Sequence, residues 1–145
     1  MIRRNLLDLN ILIALADQRH NQHQAAAHWY ASGGKDNWGI CPFTEAGFLR
    51  VTTNPIYRPS PHTFERAIAI LQSLKGLPGY LYWEMRESWV NLTAPFAARI
   101  SGHQQVTDAY LLGMAIKENG VLVTFDKGIK YLAGAEFSRN VLILE

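Results

Sequence analysis

Four acidic side chains stand where apolar runs of the chain end. Asp8 interrupts the run from Leu6-Leu7 to Ile11-Leu12, Glu45 follows Pro42 by one helical turn, Asp108 lies near the start of the segment Val106–Lys117, and Asp126 follows Val121-Leu122-Val123-Thr124-Phe125. A carboxylate in oily surroundings costs several kcal/mol unless it is paired, or it gives up its charge. Two carboxylates ~4 Å apart repel by several kcal/mol at an effective dielectric of ~20, so a cluster of acids calls for protons or cations. Mg²⁺ and Mn²⁺ are the hard ions that take carboxylate and water oxygens together with the phosphate oxygens of a substrate. Such a site would activate water and stabilise charge on phosphoryl and departing oxygens, which is the chemistry of in-line phosphodiester hydrolysis. Zinc fits less well, because Cys41 is the single cysteine and His20, His23 and His28 form neither a CxxC nor an HExxH arrangement.

Each acid also has a plainer role open to it. Glu45 is a favourable first-turn acid at the positive end of a helix dipole. Asp108 can help cap its helix, with Thr107 as the alternative cap. Asp126, in Phe-Asp-Lys-Gly, is as natural in a turn as in a site. Asp8 alone is hard to place as a solvated residue, although a cap or an internal ion pair remains open to it. What favours chemistry is the joint placement of all four.

The elements that would position them are legible in outline. Leu6-Leu7 ends a buried strand, and a first helix runs from Ile11 to about Arg19. After a polar break at His20–His23, a second helix covers Gln24 to Ala31 and stops at Gly33-Gly34. Asn37 to Cys41 is a short strand candidate, and Pro42 opens a helix ending near Thr53. The three prolines of Asn54–Pro61 make an ordered loop. Thr63 to Leu74 is amphipathic, with Phe64, Ala67, Ile68, Leu71 and Leu74 on one face. Tyr80 to Trp83 reads as a short aromatic strand near an edge, Glu87 to Leu92 as helix, and Phe96–Arg99 as a turn of helix. Val106 to Lys117 is helical, and Val121 to Phe125 and Val141 to Leu144 are strands. Strands separated by helices imply an α/β class: a three-layer α/β/α sandwich around a central, mostly parallel sheet. In such a sheet functional residues gather beyond the carboxyl ends of the strands, where Asp8, Glu45, Asp108 and Asp126 all fall.

At 145 residues the chain is expected to be a single domain, 1–145. Fourteen Lys and Arg against twelve Asp and Glu leave a net charge of +2, which does not by itself mark a nucleic-acid binder. If the acids are gathered in one place, the remaining surface is more basic than the total implies. One cysteine excludes an internal disulfide framework. The apolar run after Met1, Ile2, Arg3 and Arg4 is broken by Asp8, Asn10 and Asp17, so neither a signal peptide nor a membrane span is expected, and the location expected is cytoplasmic.

With Leu7-Asp8-Leu9-Asn10, Glu45, Thr107-Asp108-Ala109 and Thr124-Phe125-Asp126 in hand, the chain resembles the PIN-domain ribonucleases, particularly the VapC toxins of bacterial toxin–antitoxin pairs. The likeness runs through LLDLNILIAL, TEAGFLRVTTNP, QVTDAYLLGMA and LVTFDKGI, in that order. It implies that Asp8, Glu45, Asp108 and Asp126 form an acidic metal site, with Asn10 supporting Asp8 or contacting the ion through water and Thr124 orienting Asp126. It implies a Mg²⁺- or Mn²⁺-dependent endoribonuclease acting on structured RNA such as tRNA or rRNA. It also implies a homodimer held inactive by a cognate antitoxin.

RNA needs positive or stacking groups around such a crevice. Arg50, Arg58, His103 and Lys127 are the candidates to contact it, with Arg86, Arg99 and Lys130 behind them, and Tyr57 in its proline-bounded loop is placed to meet a base or a partner. An antitoxin segment would dock in a groove bordered by the first two helices and the Thr63–Leu74 helix. The competing reading is a non-catalytic RNA- or protein-binding module that keeps the fold. An aspartyl-phosphate phosphatase is disfavoured by Asn10 in place of a second aspartate, and a dinucleotide-binding domain by the absence of a glycine-rich turn after the first strand.

Overall fold

The structure, a computed structural model, describes residues 3–145. Met1 and Ile2, which open the segment expected not to be a signal peptide, lie outside the described residues. Among the described residues, three short strands, β1 (Asn5–Leu7), β2 (Val121–Thr124) and β3 (Val141–Ile143), form a parallel sheet in the order β1-β2-β3. Leu6 pairs with Leu122 and Leu122 with Val141, so strands more than a hundred residues apart in sequence are neighbours.

Among the described residues, seven α-helices surround the sheet: α1 (Leu9–Ala16), α2 (His23–Ser32), α3 (Pro42–Thr52), α4 (Phe64–Lys75), α5 (Trp89–Thr93), α6 (Val106–Lys117) and α7 (Gly128–Ala133). Consecutive strand residues face opposite sides, and this alternation builds two cores. Leu7 and Val123 pack with Ile11 and Leu12 of α1, Ala26 of α2, Phe48 of α3 and Leu71 of α4. Leu6 and Leu122 pack with Leu92 of α5, Leu111 and Leu112 of α6 and Ile129 of α7. The result is a parallel sheet with helices on both faces, the architecture expected from the alternation of elements.

The two segments expected as further strands extend the sheet without forming regular ladders. Leu7 N–H donates to the Gly39 carbonyl at 2.9 Å and Gly39 N–H to the Asn5 carbonyl at 2.9 Å, while Leu81 N–H reaches the Trp38 carbonyl at 2.8 Å and Trp83 N–H the Ile40 carbonyl at 3.1 Å. Only isolated bridges, Leu6 with Gly39 and Trp38 with Tyr80, meet the geometry of strand pairing. Pro42 closes the first segment because it has no N–H to give. Gly39 is required by close approach: a Cβ there would lie 1.9 Å from the Leu81 carbonyl oxygen.

Helix ends differ from the pattern reading for identifiable reasons. α1 begins at Leu9, two residues earlier than expected, because Asp8 is its N-cap, and ends at Ala16, where the Asp17 N–H returns to the Ile13 carbonyl. Ser88 caps α5 by accepting from Asn91 N–H, so that helix starts at Trp89 and not at Glu87. Thr63 caps α4 in the same way through Arg66 N–H. α7 is an element that no sequence pattern announces, since six residues opening on glycine are too few for helical periodicity to show. Among the described residues, no helix is long and apolar enough to cross a membrane.

Candidate functional site

The site is built outward from Thr124, the last residue of β2, which is fully buried. Its Oγ1 donates to Asp8 Oδ2 at 2.7 Å and accepts from the Asp126 N–H at 3.0 Å. Asn10 Nδ2 also reaches this hydroxyl, at 3.4 Å, while Asn10 Oδ1 accepts from the Phe125 N–H at 3.4 Å. Parallel pairing of β1 with β2 puts the residues after both strands side by side, which is why motifs from the two ends of the chain meet. The other oxygen of Asp8, Oδ1, accepts from Leu9 N–H at 2.7 Å and caps α1. Asp8 is 8 % exposed. Burial pushes its carboxyl up, the hydrogen bonds from Thr124 and Leu9 pull it down, and the charge of Asp126 adds a further upward push, with a net rise.

Asp108 sits in the first turn of α6. Its carboxyl is raised to about 6, chiefly by burial and then by the charges of Asp8 and Asp126. No cation enters that balance. Asp126 is more exposed, and its Oδ1 accepts from Gly128 N–H at 2.8 Å in a turn that leads into α7. Asp8, Asp108 and Asp126 line one cavity of about 830 Å³ together with Asn10. They share a field and a cavity, yet among the described residues no three His, Cys, Asp or Glu side chains converge as a set that could hold a metal ion.

Glu45 occupies the first turn of α3 as expected, but its carboxylate turns to Lys75 at the end of α4, with Oε2 2.6 Å from Nζ. That hydrogen bond is the main cause of the raised Lys75 pKa. Glu45 does not line the acidic cavity. Thr107 is the second residue of α6, not its cap; the capping position is Gln105, whose side chain makes no capping bond.

Of the four side chains expected to contact RNA, Arg58 lines the cavity. Arg50, His103 and Lys127 are exposed and lie outside its lining. Arg99 is used internally, donating to the Leu132 and Ala133 carbonyls, and Arg86 pairs with Glu84. Arg19 and His62, which stand in no sequence pattern that points to a site, line the same cavity, as does His20, which the sequence disfavours only as a metal ligand. They come from the turn after α1 and the loop before α4, and no local pattern foretells that these two segments face one crevice. His62 is held below the usual imidazole range by burial and by the charges of Arg58 and Arg66.

A second cavity, of about 350 Å³, lies at the amino ends of the strands, beside Arg4 and Glu118. Its charges pair off as Arg4–Glu118, Arg86–Glu84 and Lys117–Glu87, so nothing there demands an outside ion. The acidic cavity differs in that Asp8 and Asp108 pair with no cation among the described residues, and this imbalance marks it as the candidate site.

Residues 6–135 match the PIN domain family. The chain is 40 % identical over 128 residues to Ribonuclease VapC38 of Mycobacterium tuberculosis, covering 88 % of this chain and 89 % of that protein. It is 36 % identical over 130 residues to Ribonuclease VapC44 of the same organism, covering 90 % and 91 %. Among solved structures, VapBC2 from Rickettsia felis bound to a DNA fragment from its promoter superposes with a TM-score of 0.64 at 14 % identity, covering 97 % of this chain and 98 % of that one. FitAcB from Neisseria gonorrhoeae superposes with a TM-score of 0.62 at 17 % identity, covering 89 % and 92 %. These two structural likenesses concern the fold.

Proposed function

This chain belongs to the PIN-domain family and is homologous to VapC ribonucleases, and we propose that it is a divalent-metal-dependent endoribonuclease that hydrolyses phosphodiester bonds of structured RNA. The observation that carries the reading is the pair Asp8 and Asp108, from elements a hundred residues apart and without an ion-pair partner among the described residues, with the Asp108 carboxyl lifted to about 6 partly by its acidic neighbours.

The donor chemistry fits a hard divalent ion. Mg²⁺ is commonly held by only one or two carboxylates, with waters and substrate phosphates completing its shell, and Asp8 and Asp108 line one cavity that could supply them. Asp8 and Asp108 would hold the ion, with Asp126 at the rim. When bound, Mg²⁺ or Mn²⁺ supplies Lewis-acid activation of water and charge stabilisation on phosphoryl oxygens. Thr124 fixes the Asp8 carboxylate so that no rotamer has to be frozen during the reaction, and Asn10 ties the β2 end to α1 from the other side. Glu45 is proposed as a further acid of the site, which requires its carboxylate to leave Lys75.

On the same footing we propose that the protein is the toxin of a toxin–antitoxin pair, a homodimer acting in the cytoplasm and held inactive by an antitoxin. Support comes from the VapC relatives and from the VapBC2 complex named above. The apolar part of the acidic cavity, from Ile13 and Ala16 of α1, Val51 of α3 and Ile70 of α4, offers an antitoxin segment a groove. This cavity is bordered by α1, α3 and α4, whereas the sequence pointed to the first two helices and the Thr63–Leu74 helix.

The lack of three converging acids favours a second reading, a PIN fold that binds RNA or protein without turnover. Incubating the purified protein with total RNA and Mg²⁺, beside Asp8→Asn and Asp108→Asn, separates the two. Nuclease chemistry requires cleavage by the unaltered chain and a drop of about a hundredfold or more in each variant. RNA left whole by the unaltered chain supports the binding module.

A further inference from the structure

The acidic cavity has a second wall in which basic and aromatic side chains outnumber the acid Asp17. The loop from Asn54 to His62 contributes Tyr57, Arg58 and His62 to its lining, and the turn after α1 contributes Arg19. This loop is not slack. Pro55, Pro59 and Pro61 fix its backbone. The Asn54 side chain accepts from Ile56 N–H at 2.9 Å, the Asn54 carbonyl accepts from the Tyr57 and Arg58 N–H groups, and His62 N–H returns to the Thr52 carbonyl at 3.0 Å. Arg58 Nε is spent on the Ser60 carbonyl at 2.9 Å, which orients the guanidinium while leaving its terminal nitrogens free of acceptors among the described residues. Tyr57 is 69 % exposed, an aromatic ring held at a cavity rim with little apolar reason to be there.

We propose that this wall is the substrate-selecting half of the site, and that it takes an unpaired RNA nucleotide beside the cleaved phosphate. The Tyr57 ring stacks on the base, and Arg58 and Arg19 hold the flanking phosphates. The inference rests on the ribonuclease reading for the identity of the polymer. The choice of an unpaired segment comes from the wall itself. In an A-form duplex the bases are stacked and their faces inaccessible, so an aromatic ring at the cavity rim can stack on a base only where the strand is open. A cavity of about 830 Å³ has room for such a base as well as for the phosphate at the carboxylates. The charge layout agrees, since Asp8, Asp108 and Asp126 would repel a phosphate unless arginines held the strand on its other side.

Binding tests this without relying on turnover. Fluorescence anisotropy of the full chain in EDTA would compare a hairpin RNA carrying 2-aminopurine in its loop with a fully paired duplex of the same length. The hairpin should bind about tenfold tighter than the duplex, with 2-aminopurine fluorescence quenched on binding. Tyr57→Ala should lose about tenfold on the hairpin alone, and Tyr57→Trp should retain tight binding and quenching. Arg58→Ala should weaken both RNAs and lower the salt dependence by about one phosphate contact. Equal affinity for hairpin and duplex, or Tyr57→Ala binding both as the unaltered chain does, would overturn the proposal, as would failure of the hairpin to bind. Since Tyr57 is exposed, thermal melts of its variants should overlay that of the parent. An unaltered chain that binds the hairpin through Tyr57 but never cuts RNA would sink the ribonuclease reading alone; one that cuts RNA with its hairpin preference untouched by Tyr57→Ala would sink only the selecting wall.

Discussion

The hydroxyl of Thr124 donates to the buried carboxylate of Asp8 at 2.7 Å, joining residues 116 positions apart at the ends of two paired strands. This bond is the main side-chain compensation for burying Asp8. Thr124→Val keeps the shape and removes the donor, so it should cost about 1–3 kcal/mol in urea unfolding and raise the Asp8 pKa further. Thr124→Ser should recover most of the loss. A valine variant as stable as the parent would show that the bond contributes nothing.

Asp108 and Asp8 both have folded-state pKa values above their unfolded ones, so the native protein keeps protons that the unfolded chain has released. This destabilising contribution is absent below the unfolded value, and for Asp108 it grows as pH rises from 3.8 to about 6. The full shift would amount to ~3 kcal/mol, reduced to about 1 kcal/mol because Asp108 is partly exposed and screened. In EDTA, Asp108→Asn should therefore be more stable than the parent by about 1 kcal/mol at pH 7 and match it near pH 4, as measured by urea melts across that range. Mg²⁺ should stabilise the parent and leave the variant nearly unmoved.

Lys75 holds Glu45 at 2.6 Å in a half-buried pair, away from the acidic cavity. A double-mutant cycle with Lys75→Met and Glu45→Gln should give a coupling of only about 0.5–1 kcal/mol, since both side chains meet solvent. If Glu45 belongs with the metal-holding acids, Lys75→Met frees it and Mg²⁺ binding in calorimetry should tighten several-fold. Unchanged affinity would leave Glu45 as a structural partner of Lys75.

Gly39 passes so close to the edge segment that any side chain would strike the Leu81 carbonyl. Gly39→Ala should cost about 3 kcal/mol or more by prising Tyr80–Trp83 away from the sheet, read as a lowered urea midpoint. A midpoint within a few tenths of a molar of the parent would mean that the edge relocates freely.

How much of this was legible beforehand depended on whether the determining forces were local. α6 runs from Val106 to Lys117 as its apolar spacing predicts, and β2 emerges as a strand because Val121-Leu122-Val123 is buried on both sides. The meeting of Asp8, Asp108 and Asp126 was readable through one topological step: parallel strands put their carboxyl ends on one edge. α7 escaped because its six residues carry no periodic signal, and its start is set by the Asp126 turn. The pairing of Glu45 with Lys75 escaped because it depends on how α4 packs across α3. The same is true of Arg19 and His62, which reach the cavity only after two distant segments fold against α1.

On the proposed nuclease function, Asp8 and Asp108 together would hold a divalent ion at which RNA is cut. Anomalous diffraction from crystals soaked in Mn²⁺ tests it most directly. A peak beside the Asp8 and Asp108 carboxylates is expected, and it should disappear in Asp108→Asn. A protein that cleaves RNA with no ion between these two residues, or with its ion elsewhere, would contradict it.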